Sequence, residues 1–273
     1  MGLIDKKKVM RSFGRQAGEY DGGSGIQKRI VMRLLEQLRT EAVTPVRLLD
    51  IGAGTGNLLH RLQGIYPGSC RVGIDIAPEM GRKAREKAGR EENLHFIAAD
   101  AELLPFADRF FDVVLSTSTL QWLNSLDISF AEAFRVLAPG GVFCFALFGE
   151  GTLHELKDSY RLALDASGPG NIDRSHLFFS VKEVEKALVK AGFDSPLSHR
   201  EIFLEMHDDV PALLRSLKKI GAGNASPLPP QGLGGRRVMH ELFEIYRDNY
   251  GIDTVIPATY EVIFALATKP DLI

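Results

Sequence analysis

Two cysteines in 273 residues leave little room for a disulfide framework. Cys70 and Cys144 both fall in apparent strand segments, where a bridge and two lone buried thiols are equally compatible with the sequence. Neither sign of charge dominates. Lys and Arg number 33 against 35 for Asp and Glu, so no basic excess marks a nucleic-acid surface. No apolar run approaches the roughly 18 residues that a membrane-spanning helix needs. The opening stretch "MGLIDKKKVMRSFGRQ" lacks the long apolar core of a secretory leader. Lys6 stands where a myristoylation signal would require Ser or Thr. The chain has no internal repeat, and its one low-complexity stretch, "ASPLPPQGLGG" (225–235), reads as a surface connection. These absences make a soluble cytoplasmic protein the expectation, with no metal site. Hydrophobic residues make up 45% of the chain, enough for one large domain or one domain with a substantial insertion.

Strands and helices alternate through the middle of the sequence. "VRLLDIG" (46–52) predicts a buried strand and 57–63 a helix. "CRVGIDI" (70–76) is a second strand, and Pro78 opens a helix running to about 87, a position that suits proline's missing N–H. "NLHFIAAD" (93–100) and "FFDVVLSTS" (110–118) give two more strands, the latter apolar almost throughout, as a strand covered on both faces should be. An amphipathic helix over 128–141 is expected to end in Pro-Gly-Gly, before a fifth strand over 141–148. This order implies an α/β fold, a doubly wound and mostly parallel sheet that binds ligands beyond the carboxyl ends of its strands. Residues 1–44 form a helical lid outside that pattern, with helices over 5–13 and 25–39 and a glycine-rich, mobile joint, "GEYDGGSG". The core proper is 45–148. Residues 149–240 read as a helical insertion or cap with further core elements, among them a helix over 180–192 and a strand over 197–206, and 241–273 close the fold.

The stretch "LLDIGAGTGNLLHRL" carries most of the chemistry. Glycine lets backbone approach a ligand and adopt positive φ, and the helix that follows aims its free N–H groups at the same place. The spacing is Gly52, Gly54, Gly56, not that of a dinucleotide fingerprint. Asp50 precedes the first glycine by two residues; an acid there would repel a pyrophosphate but suits a cationic amine. Asp75 ends the second strand, about where an acid accepts ribose hydroxyls in related folds, and Asp100 ends the third. Each could be a plain turn cap alone. Three at successive strand ends point to a ligand with an amine, a diol and a base.

The motifs "LLDIGAGTG", "GIDIAPEM", "AADAELLPFADRFFDVVLSTSTLQW" and "RVLAPGG" resemble those of class I S-adenosylmethionine-dependent methyltransferases. Four further stretches, "FGRQAGEYDGGSGIQ", "LQWLNSL", "FGEGTLHELKDSY" and "LLRSLKKIGAGN", are similar to the malonyl-acyl-carrier-protein O-methyltransferases of biotin synthesis. That resemblance covers nearly the whole chain and implies a seven-stranded Rossmann-like sheet. It implies that Gly52, Gly54 and Gly56 line the methionine part of the cofactor, that Asp50 orients its amine, and that Ser116 lies near by. Asp75 would accept the ribose hydroxyls, Ile76 would lie against adenine, and Asp100 and Ala101 would meet the adenine amino edge. Phe13, Tyr20 and Gln27 would belong to the lid.

The implied reaction is attack by a malonyl carboxylate oxygen on the sulfonium methyl. A carboxylate with a pKa near 4 is already ionised at neutral pH, so no general base is needed and the histidines are read as ordinary residues. A tight Arg–carboxylate pair would quench the nucleophile. Hydroxyl, amide or indole donors are expected instead, with Tyr20, Gln121 and Trp122, the only tryptophan, as candidates. An acidic carrier protein calls for a basic patch, which Arg215, Lys218 and Lys219 with Arg236 and Arg237 would supply. Two readings stay open, methylation of another small molecule and a cofactor-binding assembly factor without catalysis; a third, a nicotinamide oxidoreductase, is opposed by the G-x-G-x-G spacing and the acid before it.

Overall fold

The computed structural model describes residues 4–22, 25–41, 43–168, 172–173, 175–222 and 234–271. Part of the expected mobile joint, Gly23 and Ser24, and most of the Pro/Gly loop, 225–233, lie outside the described residues. Seven strands form one sheet in the order β3-β2-β1-β4-β5-β7-β6. They are β1 (Arg47–Ile51), β2 (Cys70–Asp75), β3 (Leu94–Ala98), β4 (Phe111–Thr117), β5 (Leu137–Phe148), β6 (Asp194–His207) and β7 (Ile256–Thr268). The first five run parallel, and β7 is antiparallel to both β5 and β6. The chain moves outward in one direction from β1 to β3 and restarts on the other side of β1 at β4. A crevice opens at such a reversal, beyond the carboxyl ends of β1 and β4.

Alternation along each strand feeds two cores. Leu48, Val113 and Cys144 face one helical layer; Leu49, Val114 and Phe145 face the other. The first layer draws on α2 (Gly25–Thr40), α3 (Asn57–Gln63), α6 (His154–Ala166), α8 (Val210–Lys219) and α9 (Gly234–Tyr250). The second draws on α5 (Leu126–Val136) and α7 (Val181–Ala191), whose capping box at Ser180 and Glu183 fixes its start. Phe130, Phe143, Phe145 and Phe193 pack there with ring centroids 4.5–5.6 Å apart. The two cysteines are free: Cys70 opens β2 and Cys144 is buried in β5.

The helix expected over 128–141 instead spans α5 and ends at Val136. Leu137 is already extended, at φ −72° and ψ 138°, and pairs with Phe111. The Pro-Gly-Gly stop signal therefore sits in a β5 bulge rather than ending the helix, with Gly140 at φ +69°. Segment 149–240 contributes β6 to the same sheet. The lid begins with α1 (Lys6–Gln16). Its N-terminus is pinned by Asn124, which accepts from Ile4 N at 2.7 Å and donates to Ile4 O at 3.1 Å. Among the described residues no helix is long and apolar enough to cross a membrane.

Candidate active site

The three glycines all take positive φ: +76° at Gly52, +54° at Gly54 and +81° at Gly56. Space separates their roles. A Cβ on Gly52 would stand 2.1 Å from Thr119 Oγ1, and one on Gly56 would stand 2.8 Å from Phe96 Cζ. At Gly54 the nearest atom would be Tyr20 Cε1 at 3.6 Å. Gly52 and Gly56 are thus required by close packing, and Gly54 is the position where backbone is bared toward a cleft. The amides are mostly spoken for. Gly52 N and Ala53 N donate to Ile74 O at 2.8 Å, Gly54 N to Asp75 Oδ2 at 3.0 Å, and Gly56 N to Ala53 O at 2.9 Å. These four turn amides are thus paired within the chain, and the N–H groups expected to face a ligand are those of the following helix, from Asn57 on. The loop's contribution is shape and approach.

Two clefts flank this turn, of about 660 and about 530 Å³. Asp75, Ile76, Asp100 and Ala101 line the larger, with Met80 as a further wall. Asp50, Gln27, Thr55 and Thr117 line the smaller. Gly52, Gly54, Tyr20 and Ser118 face both. Thus every acid named from the strand ends borders a cleft. Asp50 is the most exceptional. It is 1% exposed, its Oδ1 has no hydrogen-bond partner, and burial, reinforced by Asp75, pushes its carboxyl up to about 8. A buried carboxyl oxygen without a partner is suited to a donor or a cation. Asp75 accepts from Gly54 N and, at 2.8 Å, from Ala77 N; burial raises it to about 6 despite those two bonds. Asp100 accepts from Lys6 Nζ at 2.7 Å and from Glu102 N at 3.0 Å, and Lys6 also reaches Glu102 at 2.6 Å. The lid is thereby clamped onto the third strand end. The sequence reading gave Lys6 no part in the site.

The described part of the lid's joint makes contacts with the glycine turn and with Lys87. Tyr20–Gly22 form a 3-10 turn, and Asp21 accepts from Thr55 Oγ1 at 2.5 Å and pairs with Lys87. Tyr20 lies over Gly54 and its hydroxyl is bonded to Gln27. Burial, together with Asp75 and Asp50, raises its pKa, so the phenol stays protonated and acts as a donor. Phe13 bridges Tyr20 and Trp122, at 6.3 and 5.6 Å between centroids, and both Phe13 and Trp122 line the larger cleft.

Beyond β4 the structure departs from the sequence reading. Ser116 is fully buried and donates to Ile51 O at 2.8 Å; it lines neither cleft. The chain then turns through a left-handed conformation at Ser118, φ +54°, and it is the Ser118 hydroxyl that is buried, unpartnered and placed between the clefts. Gln121 is also buried, but its Nε2 donates to Ser118 O at 2.7 Å and its side chain lines neither cleft. It braces the turn. Trp122 does line the cleft, backed by His176, whose ring lies 4.8 Å away and whose Nε2 is 2.9 Å from Gln121 O. Desolvation holds His176 below the usual histidine range, which keeps it neutral near pH 7.

The cations proposed for carrier recognition, Arg215, Lys218 and Lys219 on α8 and Arg236 and Arg237 in the first turn of α9, are all exposed, none in a cleft. The end of α8 meets the lid: Ser12 Oγ donates to Gly221 O at 2.9 Å, and a Cβ on Gly221 would lie 2.8 Å from Phe13 Cδ1. Among the described residues no group of three or more His, Cys, Asp or Glu could hold a metal.

A methyltransferase domain family matches residues 49–145, the stretch that carries the glycine turn and all three strand-end acids. The malonyl-acyl-carrier-protein O-methyltransferase of Geobacter sulfurreducens is 49% identical over 267 residues, covering 98% of this chain and 100% of that protein. This chain belongs to that family. The enzyme of the same name from a Methylovorus strain is 37% identical over 278 residues, covering 98% of this chain and 90% of its own. Among solved structures the YcgJ protein of Bacillus subtilis superposes with a TM-score of 0.61 at 21% identity, covering 88% of this chain and 98% of its own, a likeness of fold alone. The family kinship extends through the lid and the 149–240 segment, the parts that a shared cofactor fold does not require.

Proposed function

We propose that this chain transfers a methyl group from S-adenosylmethionine to the free carboxylate of a malonyl group carried on an acyl-carrier protein, giving a methyl ester. The observation that carries the donor half is the orphaned Asp50 carboxyl beside the bared backbone of Gly54. A buried acid without a partner fits the cationic amine of an amino acid, to which it would give up its proton, and offers no cationic partner to a nicotinamide cofactor's pyrophosphate. Kinship over the full length of a malonyl-acyl-carrier-protein O-methyltransferase supports the acceptor half.

When bound, the cofactor supplies an electrophilic sulfonium methyl. Asp50, Gly52, Gly54 and Gln27 would hold its amino-acid end, while Gly56, which lines neither cleft, lets the turn pack against Phe96. Asp75, both of whose oxygens are oriented by backbone donors, would accept the ribose hydroxyls, with Ile76, Asp100 and Ala101 around the base. The acceptor carboxylate arrives ionised, so the chain's task is alignment and exclusion of water, worth up to about 7–11 kcal/mol where geometry is good. Tyr20 and Ser118 stand between the two clefts with hydroxyls able to orient that carboxylate without the charge of an arginine. Trp122, packed on Phe13 and His176, walls the acceptor side. Gln121 acts through Ser118, whose carbonyl it holds. The cytoplasm, and priming of acyl-chain synthesis for biotin by the masked ester, are the setting proposed for this step.

Release of S-adenosylhomocysteine, followed with malonyl- and acetyl-loaded carrier protein in parallel, tests the assignment. Product is expected with the malonyl form only, since the acetyl form has no free carboxylate. Equal rates with both, or none with malonyl, would refute it.

A further inference from the structure

Helix α1 is built against its own stability. Its sequence, "KKKVMRSFGRQ", holds five cations and no acid. Three of the lysines occupy the first turn, where the helix dipole disfavours positive charge, and only the Asp5 cap, accepting from Lys7 N and Lys8 N, opposes them. Lys6 has its explanation in the clamp to Asp100 and Glu102. Lys7, Arg11 and Arg15 do not. Spaced four apart, they form one stripe of like charges, each pair costing a few tenths of a kcal/mol in an isolated helix. All three are exposed, and among the described residues none forms an ion pair. Val9 and Phe13 occupy the opposite, packed side of the same helix, with buried Ala17 at its C-cap, and Phe13 lines the larger cleft. The stripe therefore stands about one helix diameter, roughly 10 Å, from the wall that α1 gives the larger cleft. Where Ser12 bonds Gly221, the last turn of α8, with the exposed Lys218 and Lys219, comes up against α1.

Resting on the methyl-transfer reading above, we infer that the outer face of α1, extended by Lys218 and Lys219, is the docking surface for the acidic acyl-carrier protein. A partner that delivers its malonyl group on a flexible arm must sit beside the cleft mouth, and the unpaired stripe is the cationic surface there that helix stability does not explain. The lid is then both cover and dock: a carrier seated on α1 holds Phe13 and Tyr20 closed over the reacting groups. Arg236 and Arg237, on α9, take a lesser part.

The test is a charge-reversed triple variant, Lys7→Glu, Arg11→Glu, Arg15→Glu, assayed on malonyl-carrier protein and on malonyl-pantetheine, which has the arm without the protein. The expected result is a rise of at least about tenfold in KM for the carrier substrate at low salt. Turnover on malonyl-pantetheine and affinity for S-adenosylhomocysteine should stay as in the parent. An unchanged KM for the carrier substrate would overturn the inference. So would an equal loss on both substrates, which would mean a damaged lid, or a loss confined to an Arg236→Glu, Arg237→Glu variant. A parent protein that methylates neither substrate would refute the methyl-transfer reading itself.

Discussion

Asp50 should make cofactor binding rise steeply with pH. Its carboxyl is buried, lacks a partner at Oδ1 and is pushed up to about 8, so the ligand-free site holds it neutral at pH 7. An ammonium group entering the cleft needs the carboxylate, so binding expels a proton. Linkage then gives roughly a tenfold gain in affinity per pH unit below the folded pKa, up to about a hundredfold between pH 6 and 8. Asp75, raised to about 6, adds to the lower end of that range. Folding stability has the opposite slope. A carboxyl raised above its unfolded value near 4 makes the folded state bind the extra proton. That stability is present at pH 4 and is lost as pH rises toward 8. Isothermal titration with S-adenosylhomocysteine in buffers of differing ionisation heat would count the protons released, and thermal melts without ligand would follow stability. Asp50→Asn should flatten the affinity profile and remove most of the fall in melting temperature. A parent profile flat between pH 6 and 8, or an Asn variant with the parent's slope, would refute the reasoning.

The remaining predictions concern the turns around the clefts. Gly52→Ala places a Cβ 2.1 Å from Thr119 Oγ1 at φ +76°, so it should destabilise the fold by more than the roughly 1–3 kcal/mol of backbone strain alone. Gly54→Ala, with 3.6 Å of clearance, should fold but bind cofactor weakly; chemical denaturation and ligand titration separate the two. Ser118→Ala should lower kcat about tenfold or more without changing affinity for S-adenosylhomocysteine, whereas Ser116→Ala should act on stability alone, by about 1–3 kcal/mol for the orphaned Ile51 carbonyl. Lys6→Ala should free the lid from Asp100 and Glu102, seen as faster proteolysis between residues 18 and 25 that cofactor suppresses less than in the parent.

Much of this architecture was legible because several signals agreed. Helix α3 begins and ends where its apolar spacing and the glycine before it place it, and α4 (Pro78–Ala88) starts on its proline. The strand-end acids border the clefts because a parallel strand's carboxyl end is also where its helix turns away. The hydroxyl run Ser116-Thr117-Ser118-Thr119 was less readable. All four side chains are alike in type, and only the direction of the chain at Ser118, through positive φ, brings that hydroxyl into the cleft while Ser116 turns into the sheet. Gln121 misled for a related reason: a polar residue beside the site was read as a donor to substrate, yet its amide serves the turn. His176 reaches Trp122 from a loop 54 residues away, a neighbourhood that no local pattern encodes. The cations of α1 drew no reading from the sequence, because their opposition to the helix dipole has meaning only once the helix and its buried face are known.

The central claim is methyl transfer to a malonyl carboxylate, and intact-mass measurement of malonyl-carrier protein after incubation with this protein and S-adenosylmethionine addresses it most directly. The account predicts a gain of one CH2 group on the malonyl arm, reversed by mild ester hydrolysis and absent with the acetyl-loaded carrier. No gain from a protein that still binds S-adenosylhomocysteine, or a gain that resists hydrolysis, would contradict it.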